Sequence, residues 1–347
     1  MLLSRSYNLH GLSLVVEAMA MEAIQEVDSL LSAFSIDLGK GPDCFISIRS
    51  DYSEESEFLP PSRLLWDGEL PEGIHATYCG DETRRWIKLH GLSLACFDLA
   101  SCRAEISLKP GGEWCLVSGN FMPILAEFLR QADQHMIHAA TLMMNAHNDR
   151  AVVISGAGGT GKTTTALALA NSGMKIVSDD ISFVTGVGIN QGSPRIWGLL
   201  PRLKVCRPSL ELLPWIKGLG PPSIESAHEV YFDPGIVQGA GACSSIKPGI
   251  IIFLGERNTE AHRIEPISNV AALSFLAREN ISAIDRRGSG PSGKSFKALA
   301  NLVGNCKCFK LSASPRLETL HECLSPFLEK WETIFHVPSL AYPALRP

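Results

Sequence analysis

Two hydrophobic periods run along the chain, and their changes mark its elements. Residues 7–16 are β-rich. Residues 17–34 set Met21, Ile24, Val27, Leu30, Leu31 and Phe34 near helical spacing, and Cys44-Phe-Ile-Ser-Ile48 returns to alternation. The pattern predicts strand, helix, strand over residues 5–50. An acidic turn at 51–57 and prolines at 60, 61 and 71 interrupt it. Four short runs follow at 74–79, 85–89, 92–97 and 103–108, separated by Gly-Asp, His-Gly and Lys-Pro-Gly-Gly turns, which predicts a β-meander. Residues 1–115 thus read as an N-terminal α+β domain, a candidate substrate- or partner-binding lobe, with Trp66, Trp86 and Trp114 as core or interface anchors.

Beyond it, residues 120–134 place Phe121, Ile124, Leu125, Phe128 and Leu129 on one helical face. The apolar run from His138 to Met144, the polar stretch 145–149 and the run Ala151-Val-Val-Ile-Ser155 predict an antiparallel hairpin. If Met144 pairs with Arg150, facing positions sum to 294 and His138 falls opposite Gly156. The sequence leaves two readings of His138 open: a group at the mouth of the following loop, or a histidine satisfied in the core. His135 and His147 take the second reading. A helix is expected over 164–172, closed by Gly173, then a strand at 174–177 that runs into Ser178-Asp179-Asp180 and continues over 181–186. Residues 195–205 are β-rich. Residues 207–247 are rich in Pro, Gly and Ser without a long period and read as a mobile lid or substrate loop. A buried strand at 247–254, helices at 270–278 and 296–303, a strand at 307–311 and a helix at 317–331 broken near Ser325-Pro326 complete an α/β domain over 116–335; residues 336–347 form a C-terminal tail.

Composition narrows the class. The 347 residues suffice for two or three domains, and 45% hydrophobic with 19% charged residues is ordinary for a globular protein. A net charge of −5 gives no nucleic-acid footprint. The ten cysteines stand singly apart from Cys306-Lys-Cys308, without Cys-x-x-Cys or zinc spacing, and read as reduced thiols. The apolar stretch 12–20 is broken by Glu17 and lacks a cleavage pattern, and the run 249–254 is too short to span a bilayer. The expectation is a cytoplasmic protein with neither nucleic acid nor membrane as partner.

Chemistry concentrates in residues 151–180. Gly156-Ala-Gly-Gly-Thr-Gly161-Lys162-Thr163 follows a β-branched strand and opens a helix. The four glycines let backbone N–H groups turn toward an anion, and the helix adds its positive end. Lys162 can reach the β- and γ-phosphates, and the Thr163 hydroxyl can ligate Mg²⁺. The nucleotide-binding set is Gly156, Ala157, Gly158, Gly159, Thr160, Gly161, Lys162, Thr163 and Thr164. Asp179 and Asp180 end the next strand, where a metal contact or a general base is wanted. A second match, Gly288-Ser-Gly-Pro-Ser-Gly293-Lys294-Ser295, has a weak strand before it, Pro291 in place of a cradle N–H, and no acid-tipped strand after it. It reads as a basic loop that could close over phosphate through Arg286, Arg287 or Lys294.

Three segments together, His138-Ala-Ala, the run from Val152 to Thr163, and Ser178-Asp-Asp180, resemble the catalytic core of the HPr kinase/phosphorylase family, whose loop is similar to that of phosphoenolpyruvate carboxykinase. The likeness covers about 45 residues well. It implies an ATP- and Mg²⁺-dependent kinase acting on a serine of a peptide or small protein, with a P-loop kinase core of that type. By residue, it implies phosphates on Lys162 and the glycines, and Mg²⁺ on Thr163 with one aspartate. Asp179 is then the base and Asp180 the metal ligand, or the two exchanged, with His138 beside the base. A Pro-Arg-x-Lys-like segment near the nucleotide in related kinases makes Arg202 and Lys204 candidates for phosphate contacts, against the alternative of a solvated pair on an edge strand. Self-association is also suggested. Thr164 replaces the acid that follows the loop Ser/Thr in many HPr kinases, and the C-terminal signature associated with phosphorolysis has no counterpart. Neither the reverse reaction nor HPr as substrate is therefore expected. Two other readings stay open: a small-molecule kinase or carboxykinase-like enzyme, and an ATP-binding regulatory module without catalysis.

Overall fold

In the first lobe, alternation of buried and half-exposed residues builds a hairpin from β1 (Leu3–Leu9) and β2 (Leu12–Ala18), turned at His10-Gly11 with both residues at positive φ. The structure is a computed structural model and describes residues 2–37, 41–53, 62–70, 72–145, 148–186, 194–237, 240–241, 245–257, 260–281 and 291–334. Helix α1 (Met21–Leu31) buries Ala23, Ile24, Val27, Leu30 and Leu31 and carries the chain over the sheet to β3 (Cys44–Arg49), parallel to β2. An edge strand, β4 (Arg63–Glu69), precedes the meander of β5 (His75–Gly80), β6 (Arg84–Leu89), β7 (Ser93–Asp98) and β8 (Arg103–Leu108). The eight strands lie in the order β1-β2-β3-β8-β7-β6-β5-β4. The sequence pattern did not predict β4, because among its apolar residues only Leu65 is buried and the strand carries no sustained alternation. Trp114, expected as a core or interface anchor, is 57% exposed within a short helical turn, which removes the core reading.

The second lobe begins with a π-helical turn at Leu116–Phe121 and helix α2 (Met122–Gln131), shorter than the predicted 120–134. Asp133, at positive φ, turns the chain into β9 (Gln134–Asn145), which pairs with β10 (Asn148–Ser155). From Ala151 opposite Met143 to Ser155 opposite Ala139, facing positions sum to 294, as the hairpin reading required; the slip lies between Asn148 and Ala151. Helix α3 (Lys162–Asn171) is buried from Thr165 to Ala170, and Gly173 at φ 101° closes it. On the far edge of β9 lie β11 (Lys175–Ser178), with Ser178 opposite Thr141, and β12 (Ile181–Thr185), with Ile181 opposite His138. The two short strands share one edge, and Asp179-Asp180 occupy the break between them.

β13 (Ile196–Leu199) pairs with β12. Residues 207–247, expected as a mobile lid or substrate loop, carry several short elements where they are described. β14 (Leu203–Cys206), helix α4 (Ser209–Leu212), β15 (Ile224–Glu225) and β16 (Glu229–Phe232) form a small sheet with its connections. Its Val205, Val230 and Phe232 pack with Leu167 and Leu169 of α3. Strands of four residues or fewer give too little alternation to be read from sequence. β17 (Lys247–Leu254) runs parallel to β10; after β18 (Arg263–Pro266), helix α5 (Asn269–Asn280) and helix α6 (Pro291–Gly304), β19 (Lys307–Ser312) pairs with β17 and β18, and helix α7 (Leu320–Ile334) follows. The result is a mixed α/β protein with two large sheets, the second ordered β13-β12-β9-β10-β17-β19-β18 with β11 against β9. No helix among the described residues is long and apolar enough to cross a membrane. The nine described cysteines are free.

The lobes share a core. Trp197 of β13 stacks on Phe183 at 4.4 Å and meets His10 and Phe34 of the first lobe at 4.7 and 5.5 Å. Its Nε1 donates to Gln134 Oε1 at 2.7 Å, and Gln134 Nε2 donates to the Leu9 carbonyl at 3.0 Å. Phe183, Trp197 and Leu199 thereby join the first lobe's hydrophobic core. Trp197→Phe, which shrinks a fully buried ring and leaves Gln134 Oε1 without its donor, is expected to destabilise the whole chain by about 1–3 kcal/mol. Urea unfolding monitored by circular dichroism checks this; unchanged stability would deny Trp197 its bridging role.

Candidate functional site

The glycine loop leaves the end of β10 and delivers the chain into α3. Gly159 and Gly161 sit at φ 75° and 102°, a region that side chains with a Cβ rarely occupy, so both positions require glycine. Thr160 Oγ1 donates to the Ala157 carbonyl at 2.8 Å and tightens the turn. Lys162 is 6% exposed. Its ammonium folds back over the loop, donating to the carbonyls of Gly156 at 2.9 Å and Ala157 at 3.2 Å. Burial lowers its pKa, while Asp180 and Glu279 oppose that shift. Thr164 shares a hydrogen bond with Ser209 of α4 at 2.7 Å. Thr163 is half-buried on the first turn of α3, and its hydroxyl has no hydrogen-bond partner among the described residues.

The aspartates occupy opposite environments. Asp179 points inward and is 5% exposed; its Oδ2 accepts the Lys204 backbone N–H at 3.1 Å. Burial pushes its carboxyl up to about 7, and the neighbouring Asp180 adds to the rise. Asp180 points outward, its side chain 56% exposed, and Oδ1 accepts the His138 Nδ1–H at 2.8 Å. That bond holds Asp180 below the ordinary carboxylate range. The imidazole thus meets Asp180 rather than Asp179, the arrangement expected if the roles of the two acids are exchanged.

The supports explain why the two side chains diverge. The Ala139 N–H donates to the Asp180 carbonyl at 3.0 Å and fixes the bend. Beneath it, Ser178 and Ser182 lie 2.6 Å apart, and Ser182 meets Thr141 at 2.7 Å, a buried hydroxyl cluster. Gly198 of β13 leaves room for it, since a Cβ there would fall 2.4 Å from Ser178 Cβ. His138 is set by register on β9 and by Asn280 at the end of α5, whose Oδ1 accepts its backbone N–H at 2.6 Å. Neither Asn280 nor Ser209 announces itself in the sequence; both are lone polar residues at helix ends.

Other expected residues divide. Lys204 reaches the site through its backbone, while its ammonium pairs with Glu229 at 2.8 Å. Arg202 is exposed in the turn between β13 and β14 and makes no ion pair among the described residues. His135 is a satisfied buried histidine, as read, between Asp133 at 3.0 Å and Ser295 at 3.1 Å. Arg286, Arg287 and most of the second glycine loop lie outside the described residues, as does His147; Lys294 is exposed on α6, which starts before the predicted 296.

His138 and Asp180 also line a cavity of about 490 Å³ between the first lobe's meander, α2 and β9. A smaller cavity of about 60 Å³ lies on the other side of the loop, against Thr160, Thr164, Leu254 and Leu317. The arrangement therefore puts a glycine loop at the end of β10 and an exposed carboxylate at the end of β11, two strands that flank β9. Comparison of the chain with known proteins returns no matching family model and no matching curated protein.

Proposed function

We propose that the protein is a P-loop kinase of the HPr kinase-like type, transferring the γ-phosphoryl group of ATP to a hydroxyl, most simply a serine of a peptide or small protein. One observation carries the reading: β10 ends in the glycine loop with its buried lysine, while the adjoining β9 carries His138 onto Asp180 at the β11–β12 bend. The likeness of the same three segments to HPr kinases supports it. Loop N–H groups and the α3 N-terminus would hold the phosphates, and Lys162 would exchange its two loop carbonyls for phosphate oxygens as charge develops.

The donor set suits Mg²⁺: the half-buried Thr163 hydroxyl offers a hard oxygen that no described residue occupies. When bound, the metal would neutralise charge on the phosphates. Of the two acids, Asp180 has the exposure to meet an acceptor. With Oδ1 on His138, Oδ2 is left for the acceptor O–H. As the oxygen attacks phosphorus and the bond to ADP breaks, the proton passes to Asp180, and His138 stabilises the carboxylate before transfer. Asp179 acts through the backbone: its bond to Lys204 N–H holds the bend that turns Asp180 outward. Of the roles expected for the pair, the base falls to Asp180, and Asp179 becomes a positioning residue in place of a base or metal ligand. A polar metabolite as acceptor fits less well, because the cavity beside Asp180 is mostly apolar.

Incubation with [γ-³²P]ATP and a serine-peptide library tests the reading. Lys162→Ala is expected to weaken ATP binding at least about tenfold and abolish label transfer. Unaltered ATP affinity in that variant would remove the loop from the mechanism, and Lys294→Ala serves as the control for the second glycine loop.

A further inference from the structure

The 490 Å³ cavity has an uneven wall. Leu65, Ile87, Phe97, Met122, Ile137 and Leu299 make most of it apolar. Arg85 interrupts them. In β6, Arg85 shares the inward face with Ile87 and Leu89, and it is 5% exposed. Its Nη1 donates to the Arg84 carbonyl at 3.2 Å, and no carboxylate among the described residues forms an ion pair with it. Asp81, in the exposed turn before β6, feels its charge, but it lies off the cavity wall.

The other charged groups lining the cavity have partners of their own. Arg130 of α2 pairs with Glu127 at 3.1 Å, and His138 pairs with Asp180. Burial holds His135 toward its neutral form. One positive charge is left, fixed in an apolar surround. Burying a cation without a counter-charge is costly, and a guanidinium offers a planar fork to a carboxylate. Apolar wall, lone cation and the Asp180 mouth lie on one continuous surface.

We propose that this cavity receives the phosphoryl acceptor through an apolar group bearing a carboxylate, with the carboxylate on Arg85 and the hydroxyl at the Asp180 end. The placement of the hydroxyl rests on the kinase reading; the anion site rests on the cavity alone. The carboxylate can belong to a free amphipathic acid or to the end of a peptide, and the experiment separates the two.

Isothermal titration of the full chain, without nucleotide, compares decanoate with decanol, and the peptide acetyl-Ser-Leu-Leu as free acid with its C-terminal amide. In at least one pair the acid is expected to bind about tenfold or more tightly than its neutral partner. Arg85→Gln should reduce that preference to within about threefold, and Arg85→Lys should keep part of it. Ala126→Trp, filling the cavity from α2, should abolish binding in the preferred arm with ATP affinity unchanged. The pair that shows the preference names the source of the carboxylate. Equal binding of acid and neutral partner in both pairs overturns the proposal. So does a preference that survives Arg85→Gln, or binding that survives Ala126→Trp, the readout that holds should Arg85→Gln fail to fold. Since no nucleotide is present, a failed kinase reading appears separately, in the Lys162→Ala experiment.

Discussion

Asp180→Asn is expected to lower kcat for phosphoryl transfer about 10²–10⁴-fold while leaving the ATP dissociation constant within about threefold. Asparagine keeps the shape and can still accept from His138 Nδ1, so the bend and the loop should survive. What it loses is the lone pair that takes the hydroxyl proton, an interaction made as the oxygen attacks. The pH profile adds a second reading. Because His138 holds Asp180 below the ordinary carboxylate range, the wild-type rate should stay level as pH falls from neutral and drop only below that range. Steady-state kinetics and equilibrium ATP binding on the same preparation decide the matter. Wild-type kcat in the variant, or a loss confined to ATP affinity, would assign the chemistry elsewhere.

The same pair of acids shows where reading the sequence succeeded and where it stopped. Two apolar runs, 138–144 and 151–155, joined by a short polar turn predicted the hairpin register, so the place of His138 one residue beyond the Ala139–Ser155 pair was legible without coordinates. The meander was legible because each run was long enough to alternate, and glycine marked the turns at 80–83 and 90–91. The division of labour between Asp179 and Asp180 was not. Adjacent residues at a strand break point to opposite sides, and which side is solvent depends on Lys204 from the small sheet, on Ala139 and on the Ser178–Ser182–Thr141 cluster, contacts made only in the folded chain. Arg85 lay within a predicted strand at an inward position, a signal that alternation alone could have raised; it became meaningful only when α2 and β9 closed the cavity over it. The small sheet of β14, β15 and β16 stayed hidden because strands of two to four residues carry almost no period.

Asp179→Asn is expected to make the metal- and nucleotide-free protein more stable above neutral pH, and to do so increasingly from pH 4 upward. In the unfolded chain this carboxyl titrates near the ordinary 3.8, whereas in the folded protein burial lifts it to about 7. Between those values the folded state holds a proton that the unfolded state has released. Stability therefore falls as pH rises through the window, by about 1.4 kcal/mol per unit and about 4 kcal/mol at most across it. Below pH 4 both states are protonated and the penalty vanishes. The amide cannot ionise, yet its oxygen can still accept the Lys204 N–H, so the variant keeps the contact and loses the slope. Denaturation midpoints of wild type and variant, measured from pH 4 to 8.5 in EDTA, should diverge progressively, with other titrating groups cancelling in the difference. Parallel curves would mean that Asp179 ionises in the folded protein as readily as in water, and the buried carboxyl would then be a charge the fold supports rather than one it suppresses.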